Sequence, residues 1–586
     1  MDSLHKFRPW LGPALAVVIL AAGNTALMAQ GEASQALANR RLIIAEVVVR
    51  LQGAPADQPA RTRLESQIRR ALGTYPGARV TEFGLQFGLQ RVRRVPGVSS
   101  VDYDLQMLPS ASETGDTMRL IVKANVAGPA TPEAGGMIVA KKAGDFPTIY
   151  RDSKTLVKFD LTLGLQSTAS GNNWFGNGRV LGSGPQLEKL PPPSAPILNG
   201  EGYLSSGVTV ARELRGGDTP VYAYGVADFM QVGTVGSDIL SSRTRYSTSL
   251  ETVFGGVVGI GVTKGGNRWT YNVSYGRLPL CVGSGFFFCG IGGNGAGRGG
   301  LYIWPRTGGR KLASAQFGWN DYRLEAHYAE PNEVNQIFSA SKLLVLNIER
   351  TPATPWSWGL TYVRALDSRF IYVLPNYDLR HRKGLNAFNP RVARVPAPGT
   401  SGWVLKLEGG YQNNSSFPMR AYTIAPEGGW SFGNRKWSPT VTFRYARFSG
   451  DDPKTNVYSM WDPLYGGMDF DRWLPSLLFR YFQYNYNLQS YRVMNSLMPR
   501  PGWRVVNIFT NFNAINHYNF PFAVSEWKDK HLGVAYETFV ERSIGRQVYS
   551  RIMFGALWPG QGVRLAVPEK VEAPWYRVQA SIRIKF

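Results

Sequence analysis

Beyond residue 154 the chain repeatedly alternates apolar and polar residues over stretches of nine to twelve positions. In TLVKFDLTLGLQ, Val157, Phe159, Leu161, Leu163 and Leu165 share one face, and Lys158, Asp160, Thr162, Gly164 and Gln166 share the other. RWTYNVSYG sets Trp269, Tyr271, Val273 and Tyr275 opposite Arg268, Thr270, Asn272 and Ser274. DYRLEAHYA sets Tyr322, Leu324, Ala326 and Tyr328 against Arg323, Glu325 and His327, and GWVLKLEGGYQ sets Trp403, Leu405, Leu407 and Tyr411 against Lys406, Glu408 and Gln412. A period of two is a β-strand. Such lengths suffice for a tilted strand to cross the hydrocarbon layer, with the apolar face on lipid and the polar face on an aqueous lumen. An open sheet edge is not tolerated in lipid, so strands of this kind must close on themselves. A soluble antiparallel sandwich also alternates. Strand length, aromatic strand ends and long polar inserts such as CVGSGFFFCGIGGNGAGRGG argue instead for a barrel. At about 24 to 27 residues per strand and connection, residues 154–586 give an even count, 18 or alternatively 16.

Both ends of the chain fit this expectation. The last eleven residues, YRVQASIRIKF, alternate down to an aromatic terminus, with Tyr576, Val578, Ile582, Ile584 and Phe586 on the apolar face and Arg577, Arg583 and Lys585 on the other. A terminal aromatic on such a strand resembles the signal that outer-membrane barrels present to their assembly machinery. At the other end, His5, Lys6 and Arg8 precede the apolar LGPALAVVILAA, and ALMAQ offers a cleavage point after Ala29. Residues 1–29 therefore read as a secretory signal peptide rather than an anchor helix, because the run is short for a bilayer span. In an exported protein Cys281 and Cys289 are expected to form a small disulfide loop. Two separate thiols are the alternative, and their spacing excludes a CxxC-type metal site.

Between leader and barrel, LIIAEVVVRLQG reads as a strand and RTRLESQIRRAL as a helix with Leu64, Ile68 and Leu72 on one face. YPGA breaks it, VTEFGLQFGLQRVRRV reads as a second helix, and GVSSVDYDLQML and MRLIVKANVAG as two strands. This β-α-α-β-β order over residues 40–127, with VRRVPGVSSV between helix and strand, resembles a POTRA domain, a periplasmic module found in front of some outer-membrane barrels. An unrelated periplasmic α+β domain is the alternative. Residues 128–153, rich in Pro, Gly and Ala, read as a linker or as a segment folded into the barrel mouth. The fold class expected is thus mainly β: a transmembrane antiparallel barrel preceded by a small α+β domain, placed in the bacterial outer membrane.

The chain carries 65 Lys+Arg against 41 Asp+Glu, a net charge of +24, which attracts anions. With 18% charged residues and no block of five like charges, it does not read as a nucleic-acid binder. Lumen candidates on the polar faces are Lys158, Arg268, Arg323, Lys406, Arg444, Arg577, Arg583 and Lys585, with fewer acids, Asp160, Glu325, Glu408 and Glu537, among them. A cationic lining favours anions; the alternative is that these charges pair with one another or sit near the rims.

One stretch goes beyond composition. Ala421-Tyr422, Ser449-Gly450-Asp451-Asp452-Pro453 and Trp461-Asp462-Pro463-Leu464-Tyr465-Gly466, with LEGGYQNN upstream, resemble the alginate export family of outer-membrane barrels. That resemblance implies 18 strands and passive export of an anionic exopolysaccharide through an Arg/Lys-lined pore. The alternatives are a protein translocation or assembly barrel, suggested by the POTRA-like segment, or a small-anion porin. Translocation barrels carry a VRG[FY] motif, absent here. Partners expected are an anionic polysaccharide or other anionic solute, membrane lipid, barrel assembly machinery and a periplasmic protein docking on residues 40–127.

No enzyme, cofactor or metal is expected. The five His residues are scattered, without HExxH, and no GxSxG, Walker or GxGxxG motif stands out. Asp451, Asp452, Asp462, Asp469 and Asp471 lack the alternate-residue spacing of a calcium loop and read as a solvated extracellular loop.

Overall fold

The computed structural model describes residues 42–586 apart from several short segments, the longest being 109–116, 127–137, 140–146 and 173–195. The leader, Asp469 and Asp471 lie outside the described residues. The N-terminal domain runs β1 (Leu42–Gln52), α1 (Gln58–Leu72), β2 (Ala78–Val80), α2 (Glu82–Val92), β3 (Val98–Met107) and β4 (Thr117–Val126). Asp57 caps α1, its carboxylate accepting from the Ala60 N–H at 3.2 Å, and Gly73 ends it at φ 68°. Leu64, Ile68 and Leu72 bury against Leu85, Leu89 and Val92 of α2 and against Leu120, Val122 and Ala124 of β4. The sheet order is β2-β1-β4-β3, with β1 parallel to β4. β2 is an element the sequence reading lacks. Its three residues follow the Pro76-Gly77 break and pair with Leu42–Ile44, too short a run to show a period.

The segment read as a linker contains β5 (Ile138–Val139) and β6 (Thr148–Arg151), which pair with each other. β6 also pairs with the start of β7 (Thr155–Gly171). The next strands are β8 (Ile197–Arg215), β9 (Val221–Gly236), β10 (Arg245–Val262), β11 (Arg268–Arg277), β12 (Lys311–Trp319) and β13 (Tyr322–Glu330). β14 (Lys342–Arg350) and β15 (Trp356–Asp367) precede a small hairpin, β16 (Ile371–Val373) and β17 (Leu379–His381). Then come β18 (Leu385–Arg394), β19 (Ser401–Asn414), β20 (Ala421–Phe432), β21 (Thr440–Phe448) and β22 (Leu488–Leu497). The chain finishes with β23 (Trp503–Ala514), β24 (His531–Ile544), β25 (Val548–Pro559), the short helix α3 (Gln561–Ala566) and β26 (Trp575–Lys585).

β7–β15 and β18–β26 form a closed antiparallel barrel of 18 strands. Closure joins β26 to β7 from Tyr576↔Gly171 to Lys585↔Thr162, and the Phe586 N–H donates to the Leu161 carbonyl at 2.9 Å. The barrel therefore has no open edge, which is what the hydrocarbon layer requires.

Outward faces carry exposed Leu324, Leu346, Leu360, Leu407, Phe443 and Phe509. At the end with short turns the outward residues are aromatic: Trp269 stacks on Tyr271, Tyr322 meets Trp358, and Trp403 meets Trp430. Aromatic girdles at both interfaces and short periplasmic turns opposite long extracellular loops are features of outer-membrane barrels. The end with short turns, which also holds the N-terminal domain, is accordingly the periplasmic one. This is an outer-membrane barrel, as the alternation and the lipid-facing belt require.

Candidate functional site

The lumen is the site, and strand parity decides what enters it. On β13 and β14, Glu325, His327, Asn347 and Glu349 face inward and are buried. Arg323 lies 3.0 Å from Glu325, whose other oxygen accepts from Asn347 at 2.8 Å. Asn347 accepts in turn from Thr361 at 2.9 Å and from Arg391 at 2.8 Å, and Arg391 reaches Glu349 at 3.1 Å. On the next strands Lys406 pairs with Glu427 at 2.9 Å, while Arg444 is 3.8 Å from the same carboxylate and lies over the Trp473 ring. Farther round, Arg504 and Arg551 both meet Glu541, at 3.2 and 3.7 Å.

Exposure separates the partners. Side-chain exposures are 18% for Arg323 against 0% for Glu325, 12% for Arg391 against 2% for Glu349, 20% for Lys406 against 3% for Glu427, and 24% for Arg551 against 8% for Glu541. In each of these four pairs the carboxylate is the buried member and the cation the one that meets water. Arg504 against Glu541, Arg306 against Glu251 and Arg382 against Asp462 do not show this difference, both members of each pair being buried.

Two extracellular loops turn into the barrel and close on each other. The first spans 278–310, and Cys281 and Cys289 are joined by a disulfide that pins its tip. The tip presents Phe286, Phe287 and Phe288, all buried. They pack on Trp461, Trp473 and Tyr465 of the second loop, residues 449–487, with ring centroids 4.7 to 5.9 Å apart. The backbones are also joined: the Tyr465 N–H donates to the Phe287 carbonyl at 3.0 Å, and the Cys289 N–H to the Tyr465 carbonyl at 3.2 Å. Glycine makes this approach feasible. A Cβ on Gly466 would overlap the Phe286 carbonyl oxygen, and one on Gly410 of the wall would lie 2.4 Å from the Trp461 ring.

The wall holds both loops. Ser284 donates to Glu408, Tyr302 and Ile303 N–H groups donate to Glu201 at 2.9 and 2.7 Å, and Arg577 lies over the Tyr302 ring at 4.5 Å. Arg382 grips Asp462 at 2.8 and 3.1 Å, and Gln412 exchanges two hydrogen bonds with the Asp462 backbone. Deeper in, the Leu477 N–H donates to Glu537, and Leu477 packs among Met494, Val506, Ile508, Phe539 and Met553.

Of the sequence candidates, Arg323, Lys406 and Arg444 form the paired cluster above, and Arg577 is fully buried under the first loop. Lys158, Arg268, Arg583 and Lys585 hold inward register positions toward the periplasmic end; Arg583 lies over Tyr549 and Lys585 is opposite Thr162. The apolar positions Tyr576, Val578, Ile582, Ile584 and Phe586 face outward, with Val578 and Phe586 exposed. Sequence reasoning missed Arg391, Arg382, Arg492, Arg504 and Arg551. Alternation in LNAFNPRVAR, with Ala387 and Asn389 buried, carries a signal for Arg391; for Arg382, on a loop, no local signal exists.

The acidic stretch is solvated in part, with Asp452 exposed, while Asp451 and Asp462 are buried. Asp451 is fully buried, accepts from the Ser459 N–H at 2.9 Å, and burial pushes its carboxyl up from the usual range. Asp462 is buried against Arg382. Among the described residues no group of His, Cys, Asp and Glu is placed to hold a metal.

The periplasmic end is also furnished. Arg94, just beyond α2, pairs at 2.6 Å with Glu213 of β8, and the α1 cap Gly73 sits near Ile260 of β10. Glu213 and Ile260 hold inward register positions, so the N-terminal domain docks on the inner side of the β8–β10 wall at the mouth.

No family model matches this chain. No curated protein sequence matches it. Among solved structures it is similar to Acinetobacter baumannii OccAB4, at 10% identity and TM-score 0.43 over 73% of this chain and 98% of the other. It is similar to the outer membrane protein OprD from Pseudomonas aeruginosa, at 11% identity and TM-score 0.42 over 73% and 94%, and to Pseudomonas aeruginosa OpdK, solved with vanillate, at 9% and 0.39 over 73% and 98%. These are OprD/Occ porins and not alginate exporters, which overturns the resemblance drawn from SGDDP and WDPLYGG. In this structure those motifs build the second inward loop, which fastens to the Phe286–Phe288 tip of the first. No family model supports the POTRA resemblance of residues 40–127.

Proposed function

We propose that this barrel is a porin for small anionic solutes. The observation that carries the reading is the exposure asymmetry of the lumen ion pairs. Glu325, Glu349, Glu427 and Glu541 are buried, while Arg323, Arg391, Lys406 and Arg551 keep part of their surface in water. A solute in the bore meets guanidinium and ammonium groups held in fixed positions by carboxylates it cannot reach. Such a lining lowers the barrier to anions and raises it for cations. The joined loops support a small cargo, since any solute must pass beside the Phe286–Phe288 tip and Trp461.

Reversal potentials in planar bilayers under a KCl gradient test this. The unaltered protein is expected to prefer chloride. Lys406→Glu and Arg551→Glu each lower the chloride-to-potassium permeability ratio, by about two- to threefold, because each places a carboxylate where a cation met water. Potassium preference in the unaltered protein overturns the proposal.

A further inference from the structure

The outward wall carries a second set of cations, gathered toward the extracellular rim. On β15 the outward residues run Trp358, Leu360, Tyr362 and Arg364 toward the extracellular end, alternating with buried Thr361, Val363 and Ala365. On β21 they run Val441, Phe443, Tyr445 and Arg447. β14 reads Ile348, Leu346, Leu344 and Lys342 in the same direction. Leading into β20, Ile424 and Tyr422 are followed at the rim by Arg420, and leading into β18, Phe388 and Asn386 are followed by Lys383. The lipid-facing columns of β14, β20 and β21 thus pass from apolar belt to a Lys or Arg at the extracellular rim, Arg364 lies one outward position short of Leu366 on β15, Lys383 stands just ahead of β18, and the β19 column between them ends in Tyr411 and Asn413. On the opposite arc the columns of β7, β8 and β9 end in Gly171, Leu198 and Val235, and one exposed base, Arg243, stands ahead of Tyr246 of β10.

We infer that the β14–β21 arc of the extracellular rim is a binding surface for a phosphate-bearing glycolipid of the outer leaflet. A charged side chain facing hydrocarbon is costly, so a base at the end of a lipid-facing column is stable at headgroup depth and seeks an anion there. Arginine is suited to phosphate because its fork donates two parallel hydrogen bonds. Asp367, 3.1 Å from Lys342, is the acid within this set, and it leaves the arc strongly positive. The columns of Arg364 and Arg447 are four strands apart along the ladder, or about 19 Å, which suits a headgroup with more than one phosphate or two neighbouring lipids.

The surface between the bases is built of hydroxyl and amide groups. Tyr362 donates to Asn386 at 2.9 Å, Asn386 donates to Asn413 at 3.0 Å, and the Tyr445 and Tyr491 rings lie 5.4 Å apart. Amides and phenols both donate and accept, which fits sugar hydroxyls better than a plain glycerol phosphate. The bases face away from the lumen, so this surface is independent of the solute path.

The test is native mass spectrometry of the full-length protein in detergent. It is titrated with a rough-type lipopolysaccharide bearing two lipid A phosphates, its dephosphorylated form, phosphatidylglycerol and inorganic pyrophosphate. The phosphorylated glycolipid is expected to stay bound at least tenfold better than the other three, and Arg364→Glu with Arg447→Glu is expected to abolish that preference. Heat-modifiable gel migration and unchanged single-channel conductance show that the double variant retains its barrel. Three results overturn the proposal: equal retention of the dephosphorylated glycolipid, equal retention of phosphatidylglycerol, or undiminished binding by the folded double variant. Pyrophosphate binding as tight as the glycolipid's, equally sensitive to the two substitutions, reduces the surface to an anion site without lipid recognition and overturns it too.

Discussion

The β7–β10 arc and the β18–β26 arc of this barrel are obstructed differently. The first has long strands, 17, 19, 16 and 18 residues, and its inner face receives the N-terminal domain at the periplasmic mouth through Arg94 and Glu213. The second has strands of 9 to 14 residues, carries Arg391, Lys406, Arg444, Arg492, Arg504 and Arg551, and is overlain from the extracellular side by the two inward loops. A closed sheet of 18 strands sets only an outer diameter. The usable opening is set by parts added from both ends, the domain at the periplasmic mouth and the two loops, the first of which also fastens to Glu201 of β8 and Thr234 of β9.

The largest effect should come from the loop side. Phe286→Ala combined with Phe287→Ala removes rings that fill the junction with Trp461 and Trp473, and single-channel conductance should rise on the order of threefold as the junction loosens. Unchanged conductance would mean that the opening lies elsewhere and would break the comparison. Gly410→Ala is the next largest: it puts a methyl group 2.4 Å from Trp461. It should cost about 1 to 3 kcal/mol of loop stability by overpacking, seen as an earlier denaturant midpoint in tryptophan fluorescence. The smallest effect belongs to the domain side. Arg94 is nearly half exposed, so Arg94→Glu should loosen docking by about 1 kcal/mol or less. Faster amide hydrogen exchange in α2 would report it, with recovery in the Arg94→Glu, Glu213→Arg exchange.

Much of this architecture is written in alternation. DYRLEAHYA and GWVLKLEGGYQ place Arg323 and Lys406 inward by parity alone, because a two-residue period allows no intermediate orientation. Which carboxylate backs each cation is not local information: Lys406 meets Glu427 and Arg391 meets Glu349 across strands, through registers that turns and closure set. The loops were harder still. CVGSGFFFCG and SGDDP through WDPLYGG have the polar, glycine-rich look of surface inserts. Their direction follows from Gly466 lying against Phe286 and from Arg382 gripping Asp462, contacts between segments remote in sequence. Segment 128–153 likewise contributes β5 and β6, which pair with each other, and β6 joins the barrel wall because β7 runs past the end of β26.

The disulfide tip and the cylinder around it are completed on different schedules. Cys281 and Cys289 are eight residues apart, so their bond needs only its own neighbourhood and an oxidant. The seam between β7 and β26 joins residues at opposite ends of the barrel-forming chain, and such distant contacts are slow to form. The second loop, moreover, emerges after thirteen of the strands are already made. The narrowing is therefore pre-shaped in one half early in biogenesis and finds its counterpart only near the end, so an unfinished cylinder passes through a stage in which it is wide.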